Sequence, residues 1–457
     1  MEEQFEGNLT EGSILKVLTK LALPIMASSF LGTAYSITDM AWIGLLGSKA
    51  VAGVGVGGMF CWFAQGFATL ARMGGQVHTA QAIGKGDRSK AKEFCRGTMQ
   101  LSVLFALIYG FVCFFFADGL VGLFGLTDPV TIGYGVLYLK ITCGLVIFSY
   151  MNYALTGLYT AQGDSKTPLK ANFAGLAVNM ILDPILILGL GPVPKLGVVG
   201  AAVATVTAQA IVTAGLLAAI IKSKEEENLL KNLQMAKKPD MDIYSSILRL
   251  GGPSSLQSMI YCGISMVLTK MVAVFGEAAV ATQRVGGQIE SVSWNTAEGF
   301  AAAMNAFSAQ NFGAGKMDRV RKGYTIAAVT VGLWGTLVAL AFIFLPEQIS
   351  MVFFHEPEVI PVSVQYLMII GICEPFMCIE LMAIGAISGL GNTKICSIVS
   401  IIVTGMRIPL AILLSSTSLG INGVWWALTI TSVTKGILFH LIFHWQCNKI
   451  ERSPQNA

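Results

Sequence analysis

Long apolar runs alternate with short polar segments along the chain. Runs of about 20 residues or more can cross a bilayer as helices, and six of them occur at 15–43, 50–74, 94–117, 132–158, 168–191 and 197–221. The polar segment 222–242 separates them from six more at 244–273, 276–303, 321–345, 361–388, 394–416 and 421–446. The pattern predicts twelve transmembrane helices, divided into an N-lobe (1–221), a cytoplasmic linker (222–242) and a C-lobe (243–457).

The second half of the chain repeats the first. At an offset of 229 residues, Pro24 and Gly47 align with Pro253 and Gly276. At an offset of 228, GDSK at 163–166 aligns with GNTK at 391–394. Since each half has an even number of spans, both halves enter the membrane the same way round and a pseudo-two-fold axis lies along the membrane normal. We expect an all-α integral membrane protein with two six-helix lobes, a design typical of alternating-access transporters.

Composition narrows the class of protein further. Only 12% of the 457 residues are charged and 54% are hydrophobic, whereas soluble domains average about 25% charged. The nine cysteines show no CxxC or Cys/His spacing, so neither zinc nor a disulfide framework is indicated. Neither a P-loop nor a catalytic triad pattern occurs, which favours an ion gradient over ATP as the energy source and argues against an enzyme. The net charge of +4 does not suggest nucleic-acid binding.

Lysine and arginine indicate the orientation. They concentrate in the loops between spans two and three and between spans eight and nine, and in the linker. Positive loops stay in the cytoplasm, so both termini are assigned to the cytoplasm and the protein to the plasma (inner) membrane. The acidic N-terminus lacks the features of a cleaved signal peptide.

Two acids lie within apolar runs of the first half. A carboxylate at membrane depth costs about 2.5–3.5 kcal/mol, so it usually serves a function or has a partner. Tyr35 precedes Asp39 by one helical turn, and Asn179 precedes Asp183 by one turn, while Thr205 offers a hydroxyl in span six. Oxygen ligands of this kind suit Na⁺ or a proton. We therefore expect a coupling site, and possible Na⁺ ligands, at Asp39, Asn179, Asp183 and Thr205; the simpler alternative is that each Asp pairs with a buried cation or lies at a membrane interface.

The second half does not keep these acids. The repeat aligns Asp39 with Leu268 and Asp183 with Ile408, so the predicted site is asymmetric. Other polar residues lie in its spans, and Gln283, Glu374 and Glu380 are candidate substrate or coupling neighbours. The structural alternative is that these glutamates pair with Arg284 or Arg407.

Several segments together resemble one family. They are ITDMAWIG in span one, AQAIGKGD after span two, QGDSKTP after span four, NMILDPILI in span five and RIPLA in span eleven. In combination they resemble the multidrug and toxic compound extrusion (MATE) family over nearly the whole chain. The resemblance implies export of cationic amphiphiles coupled to inward flow of Na⁺ or H⁺, with Asp39, Asn179, Asp183 and Thr205 as the cation site and Tyr35 and Tyr138 nearby.

The resemblance also indicates a branch and its alternatives. The NorM-like branch carries acids in spans seven and ten, where this chain has GGPSSLQSMIYCG and Met377, so the chain looks closer to the DinF-like branch.

The alternative function is a flippase for lipid-linked precursors, from the wider superfamily, which would be expected to have more spans and a more cationic cavity. We expect small organic cations as cargo, the lipid bilayer as surroundings, no cofactor beyond the coupling H⁺ or Na⁺, no nucleic-acid partner, and a monomer.

Overall fold

Helices account for all the regular secondary structure in the described part of the protein. The computed structural model describes residues 9–452 apart from 125–127, 191–193, 225–227, 239 and 355, and leaves out the side chain of residue 277. The chain termini and parts of the predicted linker lie outside these residues. The helices of the first half are α1 (Ile14–Gly44), α2 (Ser48–Gly84), α3 (Arg88–Phe115), α4 (Ala117–Gly122), α5 (Pro129–Thr142), α6 (Ile147–Ala161), α7 (Lys166–Leu188) and α8 (Val198–Lys222). Those of the second half are α9 (Met241–Ala273), α10 (Glu277–Gly313), α11 (Met317–Phe344), α12 (Pro346–Phe353), α13 (Ile360–Gly371), α14 (Glu374–Gly389), α15 (Thr393–Gly405), α16 (Arg407–Ser415) and α17 (Ile421–Glu451).

The predicted spans have helical counterparts. Within the described residues, nine helices or continuous helical segments are long and apolar enough to cross a membrane, and eleven if the bent pairs α5/α6 and α13/α14 each form one span. The remaining predicted span, 276–303, corresponds to α10, which has 37 residues and is long enough to cross a membrane, but its sequence is too polar to be counted with the others. Glutamine, glutamate and arginine residues along α10 lower its mean hydropathy.

The backbone preserves the internal duplication. Helices α2 and α10 are both 37 residues long, and the bent pairs both bend by 49°. Gly47 and Gly276, which precede α2 and α10, have φ values of 99° and 102°. Side chains beyond glycine are strained in this region of φ, so both halves use glycine to begin the long helix at the same point of the repeat.

Contacts divide the chain into two units. The first contains Ala27–Ser255, and the second contains Leu9–Met26 together with the chain from Leu256 onward. The divisions lie inside α1 and α9, two residues after the repeat-related Pro24 and Pro253. The lobes expected from hydropathy change instead at residues 221 and 243, because hydropathy follows the order of spans and does not report which neighbours a helix contacts.

The segment expected to be a linker packs onto the first unit. Leu229 and Leu230 are each 4% exposed and join a hydrophobic core that includes Phe94 and Leu158. The Gln100 amide donates hydrogen bonds to carbonyl oxygens of this segment at 2.7 and 3.1 Å. The described part of 222–242 therefore contributes to the core as well as connecting the halves.

Adjacent glycines of α9 provide a test of how closely its first turns pack in the first unit. A Cβ added at Gly251 would collide with the Leu70 carbonyl of α2, whereas one at Gly252 would meet nothing within 4 Å. We expect Gly251→Ala to destabilise the protein by about 1–3 kcal/mol, as overpacking does. Gly252→Ala should be neutral or stabilising, since alanine favours helix by about 1 kcal/mol. Thermal unfolding in detergent measures both, and equal melting temperatures for the two variants would contradict the close contact.

Candidate functional site

The first predicted acid lies near the end of α1. Asp39 is 8% exposed, and its Oδ1 has no hydrogen-bond partner among the described residues. One turn earlier, the Tyr35 hydroxyl lies 2.9 Å from the Thr205 hydroxyl of α8, close enough for one to donate to the other. The hydroxyl pair therefore joins α1 to α8 beside the carboxyl group.

The second predicted acid is fully buried in α7. Asp183 and Asn179 are both 0% exposed, and within the described chain neither carboxylate oxygen of Asp183 makes a hydrogen bond of standard geometry. The Asn179 amide, one turn earlier, is the polar group that interacts with this carboxyl. The following residue, Pro184, lies inside the helix and has no N–H for the carbonyl of Met180. The sequence thus places several polar groups without helical partners on one segment of α7.

The two acids belong to one site within the first unit. The carboxyls of Asp39 and Asp183 are close enough to interact electrostatically, and Tyr35 interacts with both. Tyr138 of α5 interacts with Tyr35 and Asp39. The structure therefore brings together the six residues named by the family resemblance in the first half. Their roles in coupling remain a prediction.

An apolar cluster covers this site on one side. Ile43 and Ile187, each one turn beyond an acid on its own helix, pack in the same buried cluster as Tyr138 and Val54. Both isoleucines are 0% exposed. Because the acids lie on the same helix faces as these residues, they are held inside the helix bundle and away from its outer surface.

The donor set fits a hard cation or a proton. It offers carboxylate, amide and hydroxyl oxygens, which suit Na⁺ better than a soft transition metal. No group of three or more His, Cys, Asp or Glu suited to a metal occurs among the described residues. The unpartnered buried oxygens of Asp39 and Asp183 are the observation that fits a cation or proton at this position.

Glu380 in the second half has a partner that the sequence analysis missed. Its Oε1 lies 2.7 Å from Lys435 Nζ, and both residues are about 95% buried, with exposures of 5% and 4%. The expectation that Glu380 pairs with Arg284 or Arg407 is therefore wrong, since a closer cation lies on α17. The signal in the sequence that could have identified this partner is Lys435 itself, a lysine within the apolar run 421–446.

Arg407 is held mainly by hydroxyl groups. Its Nε and Nη2 donate to Thr431 and Ser432, each at 2.9 Å. The carboxyl of Glu290 interacts with it electrostatically. The Arg407 guanidinium is therefore bound by neighbouring side chains of the second unit.

The two remaining candidates of the second half, Glu374 and Gln283, differ in whether their side-chain oxygens have hydrogen-bond partners. Glu374, at the start of α14, is 0% exposed, and within the described part of the chain neither of its carboxylate oxygens makes a hydrogen bond of standard geometry, although the Ser293 hydroxyl interacts with it. It interacts electrostatically with Glu290. Gln283 accepts a long hydrogen bond of 3.4 Å from the Trp425 indole. Glu374 therefore resembles the acids of the first unit, whereas Gln283 has an ordinary structural contact.

Comparisons with known proteins agree with this architecture. The MatE family model matches residues 24–185 and again 253–413, two matches that begin 229 residues apart. A probable multidrug resistance protein NorM of Thermotoga maritima is 28% identical over 95% of this chain and 93% of its own length. An FAD transporter of Shewanella oneidensis is 23% identical over 98% of both chains. An outward-facing multidrug resistance MATE family transporter of known structure has a TM-score of 0.90 at 21% identity, covering 99% of this chain and 100% of that one.

The family-model match and the named relatives show that the chain is a multi-pass membrane transporter rather than an enzyme. The two family-model matches together cover most of its length. The chain belongs to the MatE family.

The buried ion pair gives a prediction about stability. Glu380→Gln leaves the Lys435 ammonium buried without a counter-charge, so we expect a loss of about 3–5 kcal/mol. Replacing both partners in Glu380→Gln/Lys435→Met should recover most of that loss, since a pair of neutral groups avoids burying an unpaired charge. Thermal unfolding of the purified variants in one detergent measures both effects. A double variant as unstable as the single one would show that the pair does not act as a unit.

Proposed function

We propose that the protein is a secondary active multidrug exporter that exchanges H⁺ or Na⁺ for organic, mainly cationic amphiphilic compounds by alternating access. The observation that supports the proposal best is the pair Asp39 and Asp183, buried on α1 and α7 of one unit with unpartnered oxygens. The names of the Thermotoga relative and of the matching transporter structure support multidrug efflux. The Shewanella relative, named for FAD, gives a reason to test anionic cargo as well.

The chemistry of the coupling step follows from charge. Two carboxylates that interact in a medium of low dielectric constant repel each other, so leaving both ionised is costly. A bound proton or Na⁺ neutralises one of the two negative charges, and the Asn179 amide and the Thr205 hydroxyl offer further oxygens nearby. Loading and release of one cation at this pair would change the charge of the site and so favour different conformations of the transporter.

The finer assignments are also proposals. We assign the protein to the DinF-like branch because the first unit holds the complete acid set, while Met377, where the NorM-like branch has an acid, is apolar and 4% exposed. Lysine and arginine in alternate loops support a plasma-membrane location with cytoplasmic termini. We expect the transporter to act as a monomer.

Glu374 is a second candidate proton site because it is fully buried and its carboxylate oxygens make no hydrogen bond of standard geometry in the described residues.

Transport by purified protein tests the coupling site. In proteoliposomes, export of the fluorescent cation ethidium should be driven by a pH gradient or a Na⁺ gradient imposed separately. Asp39→Asn removes an ionisable group from the pair, so we expect the driven rate to fall by at least about tenfold. The matched control is Asp118→Asn, because Asp118 is an exposed acid that pairs with Lys140 at 3.2 Å. Normal export by Asp39→Asn under both gradients would refute the coupling assignment.

Asp183 can be tested in cells. We expect Asp183→Asn to abolish the drug resistance that the wild-type protein confers, at equal expression, because Asp183 interacts with Asp39 and the proposed coupling step uses both carboxyls. Minimum inhibitory concentrations of ethidium, with protein levels measured on a blot, provide the readout. Undiminished resistance would reduce Asp183 to a packing role. Lipid-linked precursor movement without dye export would favour the flippase alternative instead.

A further inference from the structure

Three cysteines of the first unit lie together beside the bend between α5 and α6. The sulfur atoms of Cys61 on α2 and of Cys143, the first residue after α5, are 3.6 Å apart. Cys113 of α3 belongs to the same apolar cluster and interacts with Cys143. Cys113 and Cys143 are 1% and 0% exposed, whereas Cys61 is partly exposed. One thiol of the cluster can therefore be reached by a small reagent, and a second thiol is in contact with it.

Small residues on α2 bring the two sulfur atoms together. Gly53 and Gly57 precede Cys61 by eight and four residues, so the three residues share one face of the helix. A Cβ added at Gly57 would lie 2.7 Å from the Tyr138 ring of α5, and one added at Gly53 would lie 2.8 Å from the Thr131 carbonyl oxygen. Glycine thus allows α5 to approach α2 closely. The next position of the same face is Cys61, which meets the end of α5.

The second unit keeps this helix contact without the thiols. The corresponding glycine and tyrosine are Gly286 and Tyr366, and a Cβ added at Gly286 would again collide with the tyrosine ring. At the same offsets of 229 and 228 residues, the positions of the two thiols hold Glu290 and Gly371. The close approach of these helices therefore does not require cysteine, and the pair of thiols is a feature of the first unit alone.

The thiols adjoin the proposed coupling site. Cys61 packs against the apolar cluster that includes Tyr138. Its thiol also interacts electrostatically with Tyr138 and with Tyr35. The Cys61 thiol donates to the Thr142 hydroxyl at 3.7 Å, and that hydroxyl donates to the Tyr138 carbonyl at 2.7 Å. A chemical change at Cys61 therefore affects Tyr138 directly, and it also affects α5 through Thr142.

We propose that Cys61 and Cys143 form a redox-reactive pair that hydrogen peroxide oxidises to a disulfide, and that this bond arrests transport. Cys61 reacts first, because it is the partly exposed thiol and reactivity follows exposure. Its thiolate attacks one peroxide oxygen, the O–O bond breaks, and a sulfenic acid and one water result. The Cys143 thiolate then displaces the hydroxyl group from that sulfur, which leaves as the second water. Two thiols and one hydrogen peroxide thus give one disulfide and two waters.

The disulfide would fix helices that alternating access needs to move. A disulfide bond is about 2.0 Å long, so the two sulfur atoms must approach one another by about 1.6 Å. The bond would join α2 to the break at 143–146, where α5 and α6 bend by 49°. Packed helices switch between discrete arrangements, and a covalent link beside Tyr138 would allow only one of them. The effect on transport rests on the proposed export function, whereas formation of the disulfide does not.

Peptide mapping and transport test the two parts separately. Purified protein in proteoliposomes is treated with hydrogen peroxide, the remaining thiols are alkylated, and the proteolytic peptides are analysed by mass spectrometry. We expect two peptides linked through Cys61 and Cys143. Export of ethidium under the imposed gradients should fall by at least about fivefold. It should recover after treatment with dithiothreitol, because reduction restores both thiols.

Single substitutions identify the thiols responsible. Cys61→Ala and Cys143→Ala should each export ethidium at close to the wild-type rate and lose the sensitivity to peroxide, and either variant suffices if the other fails to fold. Cys113→Ala should stay sensitive, because Cys113 lies outside the reacting pair. Cys262→Ala is the matched control, since it removes a partly exposed thiol of α9, and it should also stay sensitive.

Each remaining outcome has one meaning. Absence of the linked peptides, a link through Cys113 instead, or a link that leaves export unchanged would overturn the inference. Inhibition by peroxide that persists in Cys61→Ala and Cys143→Ala would attribute the effect to other residues and also overturn it. A wild-type protein that forms the linked peptides but exports no ethidium before oxidation would instead reject the proposed function.

Discussion

The structure depends on how polar groups are accommodated inside a bundle of apolar helices. A buried charge needs a counter-charge, hydrogen bonds, a proton or a bound ion, because the surrounding medium does not solvate it. Glu380 has its counter-charge in Lys435, and Arg407 has two hydroxyl groups. The carboxyls of Asp39 and Asp183 interact with one another, and no basic side chain forms an ion pair with either of them in the described part of the protein. The difference separates groups that hold helices together from groups that remain available for an ion.

Much of the fold could be predicted from the sequence because two of its signals are local. Span length follows from the number of consecutive apolar residues, and the duplication follows from residues repeated at a constant offset. The same alignment paired Asp39 with Leu268 and Asp183 with Ile408, so the predicted site was asymmetric, and helical spacing put Tyr35 and Asn179 one turn from the acids. A shared site on α1, α7 and α8 was expected from the buried polar residues, whereas Tyr138 of α5 was added through the family resemblance. The buried cluster that contains Ile43, Ile187 and Tyr138 now gives this arrangement a physical basis.

The sequence was less informative where a result depends on distances between helices. Lys435 and Glu380 are 55 positions apart, and no local pattern distinguishes Lys435 from Arg284 or Arg407 as the partner of that acid. The segment 222–242 was expected to be a linker on polarity alone, but Leu229 and Leu230 are buried in the core of the first unit. The divisions inside α1 and α9 were missed for the same reason, since hydropathy does not report which neighbours each part of a helix contacts.

Duplication followed by divergence explains why the two halves carry different chemistry on one backbone plan. The glycine starts of α2 and α10, their equal lengths and the equal bends of α5/α6 and α13/α14 show that the framework is retained. The framework fixes which positions point away from the core of each unit, so a substitution at such a position changes the surface without disturbing the packing. Acids persist at two positions of the first half where the second has Leu268 and Ile408, whereas arginine stands in the second half where the first has Gly55. A fold with two equivalent halves can thus bury two interacting acids in one half and an acid–lysine ion pair in the other, since neither arrangement requires the symmetry that the backbone keeps.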